Sequence, residues 1–153
     1  MVSEFIQRQK NDMVREVSAL GSLFFYVLVV LVFLILGNRE MFSRLLAGLA
    51  VMYAITILLR TVYFRERPDS YNYNSYIEKL DAASFPSLHA SRAVFMGSLL
   101  INYFNSSLMS LVLVVLVLAI LYSRISLKKH DWKDLLAGAV VGIAAYFGVD
   151  YIL

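Results

Sequence analysis

The chain has no cysteine, two prolines, one tryptophan and two histidines in 153 residues. Without cysteine there is no disulfide framework, no thiolate metal site and no thiol nucleophile. Imidazole chemistry, if present, must use His89 or His130. Charge is scarce as well: only 16% of residues are charged, against 60% hydrophobic. That balance argues against an ordinary soluble domain and points to the membrane class. The net charge of +3 is small. It suits anionic lipid surfaces or phosphate, but the apolar runs leave little room for a nucleic-acid-binding face. The length suits one domain, 1–153.

What is present is a series of apolar runs. Residues 1–16 place Val2, Phe5, Ile6, Met13 and Val17 near helical spacing, with Arg8, Lys10, Asp12 and Arg15 between them. This pattern predicts an interfacial amphipathic helix. Val17–Leu36 carries no charge over 20 residues, enough to cross about 30 Å of hydrocarbon at about 1.5 Å per residue. Gly37-Asn38 breaks it. Leu45–Leu59 is the second run, extending from Met41 to beyond Tyr63 and ended by Pro68. The polar connection Asp69–Ser84 interleaves Tyr71, Tyr73 and Tyr76 with Asn72, Asn74 and Ser75. It reads as an aromatic belt at the headgroups or as a rim over a site. Ser84-Phe85-Pro86 predicts a helix start, with Ser84 as N-cap and Pro86 in the first turn. That helix should run to about Tyr103. Leu108–Tyr122 and Leu135–Leu153 complete the set. Gly138 and Gly142 in the last run have the spacing that lets another helix approach closely. The expected fold is therefore an all-α transmembrane bundle of about five spans plus the N-terminal helix.

Counting five spans places the ends of the second and fourth, and the starts of the third and fifth, on one side with residues 1–16. Arg60–Pro68, Ser84–His89 and Arg124–Asp134 then converge on one membrane face. Arg60 and Arg67 are seven apart and share a face if the helix persists. Ser87 and His89 fall in a first helical turn, where backbone N–H groups and the dipole favour an anion. Arg124 adds a third guanidinium, a group whose planar fork grips phosphate oxygens in pairs. His130 and Asp134, four apart, would share a helix face. A carboxylate there can hold one ring nitrogen and leave the other free as nucleophile or base. The same stretch also reads as a basic loop between two membrane helices with a chance His–Asp pair. Arg92, three residues after His89, either pairs with a carboxylate or lines the site, and it stays unassigned.

Arg60-x6-Arg67-Pro68, Pro86-Ser87-Leu88-His89 and Ser123-Arg124-x5-His130-x3-Asp134 together resemble the three-part signature of the type 2 phosphatidic acid phosphatase superfamily. That family includes membrane lipid phosphate phosphatases and the vanadium haloperoxidases. The resemblance covers about Arg60 to Gly138. It implies a two-step phosphoryl transfer without metal or other cofactor. His130 would attack phosphorus while Asp134 holds its ring. His89 would protonate the leaving oxygen and later activate water. Arg60, Arg67, Arg124, Ser87 and the Leu88 backbone N–H would bind the phosphate. Two residues depart from the family pattern: Arg60 stands where Lys is usual, and Leu88 where Gly is usual. The span count departs too, since membrane members commonly have six.

The expected activity is hydrolysis of a lipid phosphate monoester or an isoprenyl diphosphate in the bilayer. The alternatives are a lipid-to-lipid phosphotransferase using the same site, or a non-catalytic lipid-binding or transport protein. Apart from the site cations and Arg92, the site side carries Arg8, Lys10, Arg15, Arg65, Lys79, Lys128, Lys129 and Lys133. The opposite side carries Arg39 and Arg44. The positive-inside rule then puts the site in the cytoplasm, whereas the family commonly works on the extracytoplasmic or lumenal face.

Overall fold

The computed structural model describes residues 2–65, 75, 78, 80 and 82–153, with side chains from residue 6 onward. The Arg67-Pro68 pair and the tyrosines at 71, 73 and 76 lie outside the described residues. Six helices are described: α1 Val2–Ala19, α2 Leu23–Ile35, α3 Arg39–Val62, α4 Leu88–Phe104, α5 Ser107–Ser126 and α6 Trp132–Ile152. Apolar side chains such as Leu111, Val115 and Leu118 of α5 and Val140 and Phe147 of α6 are exposed. This is the surface of a helical bundle that lies in lipid, where backbone polar groups must be satisfied within each helix. The protein is an integral, multi-pass membrane protein.

The expected single span Val17–Leu36 is two helices. The chain turns at residues 20–22, and α1 and α2 meet at a bend of 47°. Ser22 caps α2 by accepting from the Phe25 N–H at 3.2 Å. Gly21 is required there, because a Cβ would meet the Ile120 side chain at 2.8 Å and the His89 ring at 3.4 Å. An uncharged sequence hides this break, since hydropathy does not register a cap. Among the described residues, α3, α5 and α6 are long and apolar enough to cross a membrane, and the bent α1–α2 pair makes four if counted as one span. At 13 residues α2 is too short to span alone. Helix α4 has 17 residues and lies inside the bundle, packed on α2, α3, α5 and α6.

Two contacts explain how α4 becomes the centre. Gly138 of α6 faces the Ser87 carbonyl and Ala90, leaving no room for a side chain. Gly142, one turn on, lies against Ser91 and Val94, where a Cβ would stand 2.6 Å from the Ser91 oxygen. The G-x-x-x-G face thus packs on α4 as close-approach geometry predicts. Phe95 fills the other side of α4, with its ring against Gly48 of α3 and near Tyr26 of α2.

The ends of α3 and α5 and the starts of α4 and α6 meet at one end of the bundle, joined there by the α1–α2 turn. At the other end the Phe33 and Tyr103 rings meet edge-on, and Arg44 bonds Asp150 at 2.7 Å.

Candidate functional site

Helix α6 is capped by its own acids. The Asp131 carboxylate accepts from the Lys133 and Asp134 N–H groups, and Asp134 Oδ2 accepts from the Asp131 N–H at 3.3 Å. His130 therefore precedes the helix instead of sharing a helical face with Asp134. The pair still meets, with His130 Nδ1 3.5 Å from Asp134 Oδ2 and both side chains buried. A cap, not a helical stripe, brings the imidazole and carboxylate together.

Helix α4 starts three residues later than Ser84 suggests. Ser87 is the N-cap, its Oγ facing the Ala90 N–H at 3.5 Å. Ser84 donates its backbone N–H to the Arg65 carbonyl at 2.7 Å, so its segment runs beside the end of α3. The Ser87 N–H donates to the Asp134 carbonyl at 3.0 Å, which pins the start of α4 to the start of α6. The N-termini of α4 and α6 are therefore brought together at this end of the bundle, and that of α4, not closed by a carboxylate cap, favours an anion.

A cavity of about 280 Å³ opens there, lined by Leu23, Tyr53, Arg60, Leu88, His89, Arg92 and His130. Arg60 is buried and donates to the Leu80 carbonyl at 2.6 Å and to the Pro86 carbonyl at 3.1 Å. These bonds aim it from the end of α3, which stops at Val62. Of the expected residues, Arg60, Leu88, His89 and His130 line the cavity. Ser87 and Asp134 are buried and do not line it. Arg124 also lies outside the lining, buried at the end of α5, with Nη1 donating to Ser18 Oγ at 2.7 Å. That bond ties α1 to the site end.

Two arginines emerge that sequence reasoning missed or left open. Arg65 Nη1 donates to Asp134 Oδ1 at 3.0 Å, while both its Nη atoms reach the Asp131 carboxylate. Asp134 is thus gripped on both oxygens. The Asp131 carboxylate, and then Asp134, push the Arg65 guanidinium above its ordinary range. Burial pushes Asp131 up, yet the Asp134 N–H and the Arg65 guanidinium outweigh it and hold the carboxyl below the usual range. Arg92 turns into the cavity. It donates from Nε to the Gly21 carbonyl at 3.2 Å and from Nη1 to the Tyr53 hydroxyl at 3.1 Å, and its Nη2 lies 3.4 Å from His89 Nδ1. Its place three residues after His89 was the only signal for it. For Arg65 no periodicity gave one.

Among the described residues, no three His, Asp or Glu side chains group as a metal site would require.

A helical membrane bundle with guanidinium and imidazole groups around a cavity at a helix N-terminus is suited to hold a phosphate group. Residues 41–152 match the family model of the PAP2 superfamily, and the chain belongs to this superfamily, that of the type 2 phosphatidic acid phosphatases. Its fold is similar to that of two crystal structures. For Aquifex aeolicus LpxE the TM-score is 0.76 at 18% identity, over 94% of this chain and 86% of that one. For the first transmembrane PAP2-type phosphatidylglycerolphosphate phosphatase from Bacillus subtilis the TM-score is 0.65 at 22% identity, over 94% of this chain and 76% of that one.

Proposed function

We propose that the protein is a metal-independent membrane phosphatase that hydrolyses lipid phosphates through a phosphohistidine on His130. The observation that carries this is the pair of histidines on one cavity: His130 held by Asp134, and His89 beside Arg60 and Arg92. Asp134 fixes the His130 ring through Nδ1, leaving Nε2 to attack phosphorus. His89 gives a proton to the departing lipid oxygen, then takes one from the water that hydrolyses the intermediate. Arg60 and the N-terminus of α4 stabilise the charge on the transferring phosphoryl group. Arg124 and Arg67 complete the grip when substrate is bound, with Ser87 and the Leu88 N–H at the start of α4. The phosphatidylglycerolphosphate phosphatase among the structural neighbours is in keeping with a lipid substrate.

The test is release of inorganic phosphate from a panel of lipid phosphates in EDTA, with and without an acceptor lipid. Turnover in EDTA without acceptor is expected. Turnover only with an acceptor identifies the phosphotransferase, and turnover only with added metal contradicts the mechanism. The lysine and arginine distribution favours a cytoplasmic site over the extracytoplasmic or lumenal face that the family commonly uses. A reporter that is active only in the cytoplasm, fused after Leu153, is expected to be silent.

A further inference from the structure

Arg92 is 4% exposed, on a helix inside the bundle, yet no carboxylate among the described residues pairs with it. Its hydrogen-bond partners are a carbonyl and a phenol, which orient the guanidinium without cancelling its charge, and the His89 ring lies beside it. A buried cation without a counter-charge is unfavourable unless an anion arrives to compensate it. The cavity that Arg92 lines is where that anion can sit. Its position relative to the reaction is specific. Arg92 touches His89, the residue that protonates the leaving group, and it does so from α4, whereas Arg60 comes from α3. A guanidinium beside the leaving oxygen has little to bind if that oxygen belongs to an alcohol. It has a full charge to bind if the oxygen bridges to a second phosphoryl group.

Resting on the phosphatase function above, we propose that Arg92, with Tyr53, holds the lipid-proximal phosphoryl group of a lipid diphosphate, so that the preferred substrate is a diphosphate such as an isoprenyl diphosphate. His130 attacks the terminal phosphorus, and the bond from that phosphorus to the bridging oxygen breaks. The lipid monophosphate leaves with the proton from His89, its charge matched by Arg92. Water then attacks the phosphohistidine, giving its proton to His89 and releasing inorganic phosphate. The sum is lipid diphosphate plus water to lipid monophosphate plus phosphate.

The experiment compares kcat/KM on a matched C15 isoprenyl diphosphate and monophosphate for the full chain in vesicles. Wild type is expected to favour the diphosphate by about tenfold or more, the size of a charge-assisted contact. Arg92→Gln should bring the ratio toward unity, and Arg92→Lys should restore part of it. A purely structural role lowers both substrates together and leaves the ratio unchanged, which overturns the proposal. Should Arg92→Gln fail to fold, wild type decides with inhibitors. Inorganic diphosphate should inhibit at about a tenth of the concentration of inorganic phosphate, and equal inhibition overturns the proposal. If wild type hydrolyses neither lipid above the His130→Ala background, the phosphatase function itself fails. If it hydrolyses both with the same ratio as Arg92→Gln, only the diphosphate assignment fails.

Discussion

Each end of the bundle holds a cavity with an arginine in its wall, and the two arginines are partnered differently. At the far end, a cavity of about 200 Å³ is lined in part by Arg44, Glu40, Asn38 and Asn102. Arg44 is neutralised within the chain, by Glu40 at 3.2 Å and by Asp150 at 2.7 Å. At the site end, among the described residues, Arg92 meets a carbonyl and a phenol and no carboxylate. Similar hollows thus balance their cations differently. A cation whose counter-charge is built in closes a helix pair, whereas one without it prepares a place for an anion.

The difference can be broken from the site end first. His130→Ala should remove lipid phosphate turnover while the protein still inserts and folds. Losing a covalent route is worth several kcal/mol, so more than about a hundredth of the wild-type rate contradicts the nucleophile assignment. Asp134→Asn should be nearly as severe, because the ring loses its orientation and charge compensation.

A smaller effect sharpens the role of Arg65. It grips the oxygen of Asp134 that His130 does not use. Arg65→Gln should lower kcat by about tenfold with KM little changed, and move the pH profile, since the carboxylate then holds the imidazole less firmly. Arg65→Lys should recover part of the rate. A change in KM alone would make Arg65 a substrate-binding group instead.

At the opposite end, Arg44→Gln should leave kcat/KM unchanged. Its pairs with the exposed Glu40 and the half-exposed Asp150 should be worth no more than about 1 kcal/mol of stability, seen as a slightly lower Tm. A loss of activity comparable to that of Arg65→Gln would erase the contrast between the two ends.

The smallest effect is at the cap of α6. The Asp131 carboxyl is held below its ordinary range, so its contribution to stability is present above the unfolded value of about 4 and fades as pH falls through the lower folded value. Asp131→Asn should flatten this acid-side slope, and an unchanged slope in thermal unfolding from about pH 5 to pH 2 would contradict it.

Much of the arrangement could be read from the sequence because each part has a local cause. Apolar runs gave α3, α5 and α6, and alternation of direction brought Arg60, His89 and His130 to one end. The Gly138 and Gly142 pair announced a close helix contact, and the structure supplies α4 as its partner. What could not be read depends on hydrogen bonds between distant segments. The break at Gly21-Ser22 is set by a side-chain cap and by the bulk of Ile120 and His89 from elsewhere in the chain. The start of α4 at Ser87 is set by a bond to the Asp134 carbonyl. Arg65 reaches its carboxylates across more than sixty residues of sequence, and no periodicity records such a contact. Arg124 has the motif position of a phosphate ligand, yet it bonds Ser18, whose closeness follows only from the packing of α1 on α5.

The central claim is a covalent phosphoryl group on His130, and labelling quenched in alkaline detergent addresses it directly. The protein in vesicles is mixed with a lipid phosphate or diphosphate labelled in its terminal phosphoryl group, in EDTA, and quenched within one turnover. The expected product is a labelled protein whose phosphoryl bond is stable to alkali and labile to acid, maps to the peptide carrying His130, and is absent in His130→Ala. Turnover without any labelled protein, or equal labelling of His130→Ala, would contradict the mechanism.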